Sequence, residues 1–185
     1  MARPRIRHGD VVDTAIDLVD RESLDSLSLA AVANVLGVRS SALYTYVDGL
    51  DALRFAVAVQ AVVNLTETVR DAALGHAGDN ALSAVAYSYR GFAFDHPGQY
   101  ASTLLPPHRP NDELVLATAD LLNVFSRIIS AGWGYQGDAA VYAARTARSA
   151  IHGFVALEAG QAFTSPDDGN ASFKHLVHTV IVGLS

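Results

Sequence analysis

The sequence predicts an all-α protein. Alanine, leucine and valine dominate a 185-residue chain that is 50% hydrophobic, and strict alternation of apolar with polar residues is scarce. Apolar side chains recur instead at intervals of three and four, and clusters of Gly, Pro, Asn and Asp punctuate segments of helical length.

The first segment, from Asp10 to about Ser23, places Val12, Ala15, Ile16 and Val19 on one face. Asp10 and Asp13 suit the positive end of its dipole. Ser28 is the expected N-cap of a short second helix that runs through Leu36 and stops at Gly37. A third short helix is expected from Ser40 to about Tyr46, and Asp48 is expected to cap a long fourth helix reaching about Leu74. His76-Ala77-Gly78-Asp79-Asn80 reads as a turn. Ala81 to Asp95 then reads as a helix ended by His96-Pro97-Gly98, with a brief helical piece from Gln99 to Leu105. Beyond the proline-rich loop at 106–110, Asn111 as cap and Asp112 and Glu113 in the first turn open a helix to about Ala131. Helices from Asp138 to about Phe163 and from Ala171 to Leu184 follow.

Composition excludes several classes of function. Cysteine is absent, so there is no disulfide framework, thiolate metal site or cysteine nucleophile. The basic start of the chain leads into no apolar signal core, and no run of about 18 uninterrupted apolar residues offers a membrane span. The expectation is a cytoplasmic globular protein with no membrane partner. Only 17% of the residues are charged, which implies apolar surface hidden in a subunit interface or lining a pocket. The net charge of −6 argues mildly against nucleic acid as a partner, but Arg3, Arg5 and Arg7 form a basic arm ahead of an acidic body. Contact with DNA depends on local potential rather than on net charge.

The informative block is residues 27–47, two short helices joined by a tight turn at Gly37. Ala33, Leu36, Val38 and Leu43 can fix the crossing of the pair, which leaves Arg39, Ser40, Ser41, Thr45 and the tyrosines Tyr44 and Tyr46 on the outer side. Such a helix can enter a major groove about 12 Å wide. An ordinary helical hairpin is the bland alternative, weakened here by the many short exposed side chains and the preceding basic arm.

Val32-Ala33-Asn34-Val35-Leu36-Gly37-Val38, followed by Ala42-Leu43-Tyr44-Thr45-Tyr46-Val47 and an acidic helix start, resembles the DNA-binding domain of TetR-family transcriptional regulators. Ile151-His152-Gly153-Phe154 and the later Ser172-Phe173 resemble the regulatory half of the subgroup marked by a Trp-His-Gly signature, here without the Trp. The resemblance implies a helix-turn-helix DNA-binding domain over residues 1–47 and a helical ligand-binding and dimerisation domain over 48–185. It further implies a homodimer, an operator duplex and a small-molecule effector as partners, with no cofactor. The implied DNA-binding residues are the arm arginines with Ser28, Arg39, Ser40, Ser41, Ala42, Tyr44, Thr45 and Tyr46. Arg39 stands where the family often has Ser, and Leu50 where it commonly has a phosphate-binding Lys.

In the second half, Phe92, Tyr100, Phe125, Trp133, Tyr142, Arg145, Ser149 and His152 are the candidate effector-binding residues, as an apolar cavity with a few polar groups. For any single aromatic, packing in a core or dimer face is the commoner role. Gly153, Leu157, Phe173, Leu176, Val177, Val180 and Leu184 suit the four-helix dimer interface that the family implies. Gly132-Trp133-Gly134-Tyr135-Gln136-Gly137 satisfies the spacing of a dinucleotide fingerprint, but the segment before it reads as helix, so a helix-linking turn is the better reading. His175 and His178 share a helix face without a third metal ligand in sequence and read as a solvated pair. No enzyme is expected. The function expected is a one-component transcriptional repressor, with a helical protein-interaction module or a ligand-dependent activator as the alternatives.

Overall fold

A computed structural model describes residues 6–106, 113–163 and 169–185. Among them are nine helices and no strand: α1 (His8–Arg21), α2 (Leu29–Leu36), α3 (Ser40–Leu43), α4 (Leu50–Ala73), α5 (Gly78–Asp95), α6 (Pro97–Ser102), α7 (Glu113–Trp133), α8 (Gly137–Ala159) and α9 (Gly169–Leu184). Arg3, Arg5, Asn111 and Asp112 lie outside the described residues. Two compact units form, one from residues 1–62 and 96–114, the other from 63–95 and 115–185. Compactness thus divides the chain along a different line from the functional boundary drawn at residue 47, and α4 contributes to both units.

In the first unit the α1 stripe Val11, Val12, Ala15, Ile16, Leu18 and Val19 is buried with Val32, Ala33, Leu43, Val47, Leu53 and Val57. Ser28 caps α2 as expected, its Oγ accepting from the Ala31 N–H at 3.2 Å. Gly37 ends that helix in the left-handed region at φ +66°, and the Val38 N–H reaches back to the Ala33 carbonyl at 2.9 Å.

Several boundaries differ from expectation for identifiable reasons. Regular α3 stops at Leu43, because Thr45 and Tyr46 bond to carbonyls three residues back, at 3.3 and 2.8 Å, in a tighter turn. Left-handed Gly49 separates Asp48 from α4, whose Leu53 N–H bonds to the Gly49 carbonyl at 3.2 Å. Pro97 does not merely end α5; it opens α6, where a fixed φ and a missing N–H cost nothing.

The second unit packs α8 against α5 and α9, burying Val85, Ala86 and Tyr89 of α5, Ala144, Ala147, Ile151 and Val155 of α8, and Phe173 and Val177 of α9. Helix α8 ends at Ala159 rather than at Phe163. Gln161 takes the left-handed position at φ +54°, and the Ala162 N–H closes onto the Leu157 carbonyl at 2.9 Å. Helices α4 and α7 have lengths and mean hydropathies (1.2 and 1.5) that would suffice to cross a membrane. Each carries charged residues, among them Arg70 on α4 and Asp120 and Arg127 on α7. Each also buries one stripe, such as Leu121, Phe125 and Ile129 of α7, as core helices do.

Candidate nucleic-acid interface and effector cleft

The α2–α3 hairpin presents its polar residues outward. Leu43 and Val47 anchor the segment in the core at 0% and 6% exposure, while Ser40, Ser41, Ala42 and Thr45 are exposed and the Tyr44 ring is 62% exposed. Tyr46 differs from Tyr44, since its side chain is half-buried against the core and offers only part of its surface. Arg39 is exposed immediately before α3. Ser28 spends an oxygen lone pair on capping, which leaves its O–H as the donor available to a phosphate. Arg7 is exposed at the start of α1, where its guanidinium pairs with Asp10 at 3.1 Å and its backbone N–H donates to the same carboxylate at 2.7 Å. Those hydrogen bonds hold the Asp10 carboxyl below the usual carboxylate range.

A second feature of this unit has no short-range sequence signal. Asp20 of α1 accepts from the Gln99 backbone N–H at 2.8 Å and from Gln99 Nε2 at 2.7 Å, and its other contact is His96 Nδ1 at 2.9 Å. Gly98 makes this approach possible. A Cβ there would overlap the carbonyl of Val19 and lie 2.7 Å from the Asp20 nitrogen. Helix α6 is thereby pinned to α1, the helix on which α2 packs, with α3 packed in turn on α2.

In the second unit the candidate effector residues separate into groups. Phe92 and Phe125 are buried core residues, Trp133 is half-buried at the end of α7, and Tyr142 is 61% exposed. Tyr100 is buried in the first unit. Arg145, Ser149 and His152 do come together, with Arg148 and Leu122, around a cleft of about 230 Å3 between α7 and α8. The Tyr89 hydroxyl lies 3.0 Å from His152 Nδ1. Burial, with the nearby Arg148 charge as the lesser cause, holds the His152 imidazole below its ordinary value.

The residues expected at a dimer face also divide. Leu157 is 51% exposed and Gly153, Leu176 and Val180 are half-buried, whereas Phe173, Val177 and Leu184 are buried inside their own subunit. Phe173 is held there by Phe154, centroids 5.2 Å apart, and by the edge of Tyr87 at 5.3 Å. Above it sits Arg90, whose guanidinium grips Glu158 through bonds of 2.7 and 2.6 Å and donates to Asn170 at 2.8 Å. Phe173, Val177 and Leu184 thus pack inside the fold rather than offering surface. The glycine-rich stretch 132–137 joins α7 to α8, with Gly132 packed on the Gly78 backbone, and the element that leads into it is helix α7, not a strand.

Residues 82–180 match the family described as tetracyclin repressor-like, C-terminal domain. YobS, an uncharacterized HTH-type transcriptional regulator of Bacillus subtilis, is 33% identical over 174 residues, covering 94% of this chain and 90% of its own. A second such regulator, from Mycobacterium tuberculosis, is 35% identical over 160 residues, covering 85% of this chain and 73% of its own. The chain belongs to the TetR family of transcriptional regulators.

A crystal structure of a TetR variant from Acinetobacter baumannii, bound to minocycline, shares the fold with a TM-score of 0.72 at 22% identity, covering 97% of this chain and 96% of that one. Within this TetR-family fold, α2 and α3 are the helix-turn-helix. Sequence reasoning reached the hairpin because its signals are local. It missed the Asp20–Gln99 contact and the Arg90–Glu158 pair, whose partners are 79 and 68 residues apart.

Proposed function

We propose that the protein is a one-component repressor that grips operator DNA as a homodimer and releases it when a small-molecule effector binds. Residues 1–47 read the DNA, and residues 48–185 sense the effector and dimerise. His152-Gly153 supports a place in the Trp-His-Gly subgroup. The observation that carries this reading is the exposure of the short polar side chains of α3 and of Tyr44 just after it, while Leu43 and Val47 anchor that segment in the core. Arg39, Ser40, Ser41, Ala42, Tyr44 and Thr45 supply donors, hydroxyls and a methyl group to base edges and phosphates, and Tyr46 adds its accessible edge. The arm arginines Arg3, Arg5 and Arg7 follow the DNA backbone. Two symmetry-related α3 helices about 34–36 Å apart fit successive major grooves of a pseudo-palindrome. The accessible residues Gly153, Leu157, Leu176 and Val180 support a dimer face on α8 and α9. An effector preferring another conformation of the regulatory half shifts the population that fits DNA, by its differential affinity and no more.

A gel-shift assay against the DNA upstream of its neighbouring genes tests the reading. The wild-type chain retards a specific fragment, and Tyr44→Ala weakens that binding by about tenfold or more without loss of helicity. Equal affinity in the variant overturns the placement of the reading helix.

A further inference from the structure

We infer that the α7–α8 cleft is a binding site for the oxyanion of a small carboxylate- or phosphate-bearing effector. This deepens, and rests on, the reading of residues 48–185 as an effector-sensing half. Arg145, Arg148, Ser149 and His152 fall on one side of α8 by their spacing, and Leu122 of α7 closes the cleft opposite them. Arg148 and His152 are half-buried at its base, and Arg145 and Ser149 are exposed at its rim. Among the described residues every polar side chain in the lining can donate a hydrogen bond, and none is a carboxylate.

Two guanidinium groups three residues apart repel each other, and neither Arg145 nor Arg148 enters an ion pair among the described residues. The contrast with Arg90 is direct, since that guanidinium is neutralised by Glu158 at 2.6 Å. In a chain of net charge −6 such a concentration of donors is a local positive field, with no ion-pair partner among the described residues. Planar guanidinium forks match carboxylate and phosphate oxygens two at a time. The His152 ring is fixed in place by the Tyr89 hydroxyl at 3.0 Å, so the site is partly organised before anything binds. The cleft between α4 and α7, with Arg70 and Arg127, resembles it in size at about 260 Å3 but includes Asp120, which disfavours an anion.

The purified full chain, without DNA, is titrated with inorganic phosphate and separately with benzoate, against sodium chloride of matched ionic strength at fixed neutral pH. Binding is read from thermal shift and from histidine ring resonances, the His152 signal being assigned by its loss in His152→Gln. At least one probe gives a saturable rise in melting temperature and moves the His152 signal. Affinity falls by about tenfold or more in Arg145→Gln/Arg148→Gln and is unchanged in Arg70→Gln/Arg127→Gln, which removes the same charge elsewhere. Phosphate alone, benzoate alone or both identify the head group, and each supports the site. The proposal is overturned if neither probe exceeds chloride, or if the two double variants respond alike. Because the titration needs no DNA, a chain that binds a probe here but retards no fragment keeps the anion site and loses the repressor reading. The opposite pair of results does the reverse.

Discussion

A methyl group added at position 98 would collide with the Val19 carbonyl, and the colliding atoms are backbone, which cannot swing aside. Gly98→Ala is therefore expected to cost at least about 2 kcal/mol, seen as a lower urea midpoint with an unchanged slope. His152 carries a pH dependence whose sign follows from its environment. Burial and Arg148 lower its folded-state pKa below the ordinary 6.5, so the unfolded chain binds more protons in the window beneath that value. Its stabilising contribution is complete above 6.5 and is lost as the pH falls toward the lowered folded value. Melting temperature followed from neutral to mildly acid pH should drop less steeply in His152→Gln than in the wild type. Parallel curves would show that the imbalance of protons lies elsewhere.

The ends of two helices make an opposed pair of expectations. Gly37 and Gln161 both occupy the left-handed region, at φ +66° and +54°, but only the glycine is free of the Cβ penalty there. Gly37→Ala should lose roughly 1 kcal/mol and Gln161→Gly should gain roughly 1 kcal/mol, measured by the same denaturation curve. Neither position has a neighbour that would mask the backbone term: a Cβ at Gly37 meets nothing within 4 Å, and Gln161 is exposed. Loss of stability in Gln161→Gly would mean that its side chain contributes more than its backbone strain removes. The four-residue α3 belongs to this scale too. Too short to hold itself as a helix, it is held by Leu43 and Val47, so its rigidity comes from burial and not from propensity.

For the molecule as a whole, charge sets the character of DNA binding. Few cations stand on the reading unit: besides Arg3 and Arg5 of the arm, Arg7, Arg21 and Arg39 are exposed among the described residues, and Arg7 is already shared with Asp10. The logarithm of operator affinity against the logarithm of salt concentration should then fall with a slope well short of the value of about −10 that a heavily basic repressor reaches. A slope that steep would require phosphate contacts from more cations than the reading unit carries. Hydroxyls, the tyrosine ring and backbone N–H groups carry the remainder, and these respond little to salt.

The order of helices, the capping at Ser28, the stop at Gly37 and the hydroxyl-bearing hairpin were all legible in the sequence, because each depends on residues within one or two turns of one another. The periodicity of α1 likewise named its own buried face. What lay beyond reach depended on partners distant in the chain. Whether an aromatic is core or cavity lining is decided by what faces it, so Phe125 and Tyr142, alike in sequence context, end at 0% and 61% exposure. Phe173 is periodic with an outward stripe, yet Tyr87 and Phe154 draw it inward. Only the packed structure showed that Asp20 binds α6, that Glu158 neutralises Arg90, and that Arg145 and Arg148 have no such ion pair among the described residues. Local physics chooses helices and their ends. Charge compensation and burial are settled by which surfaces meet when the helices pack.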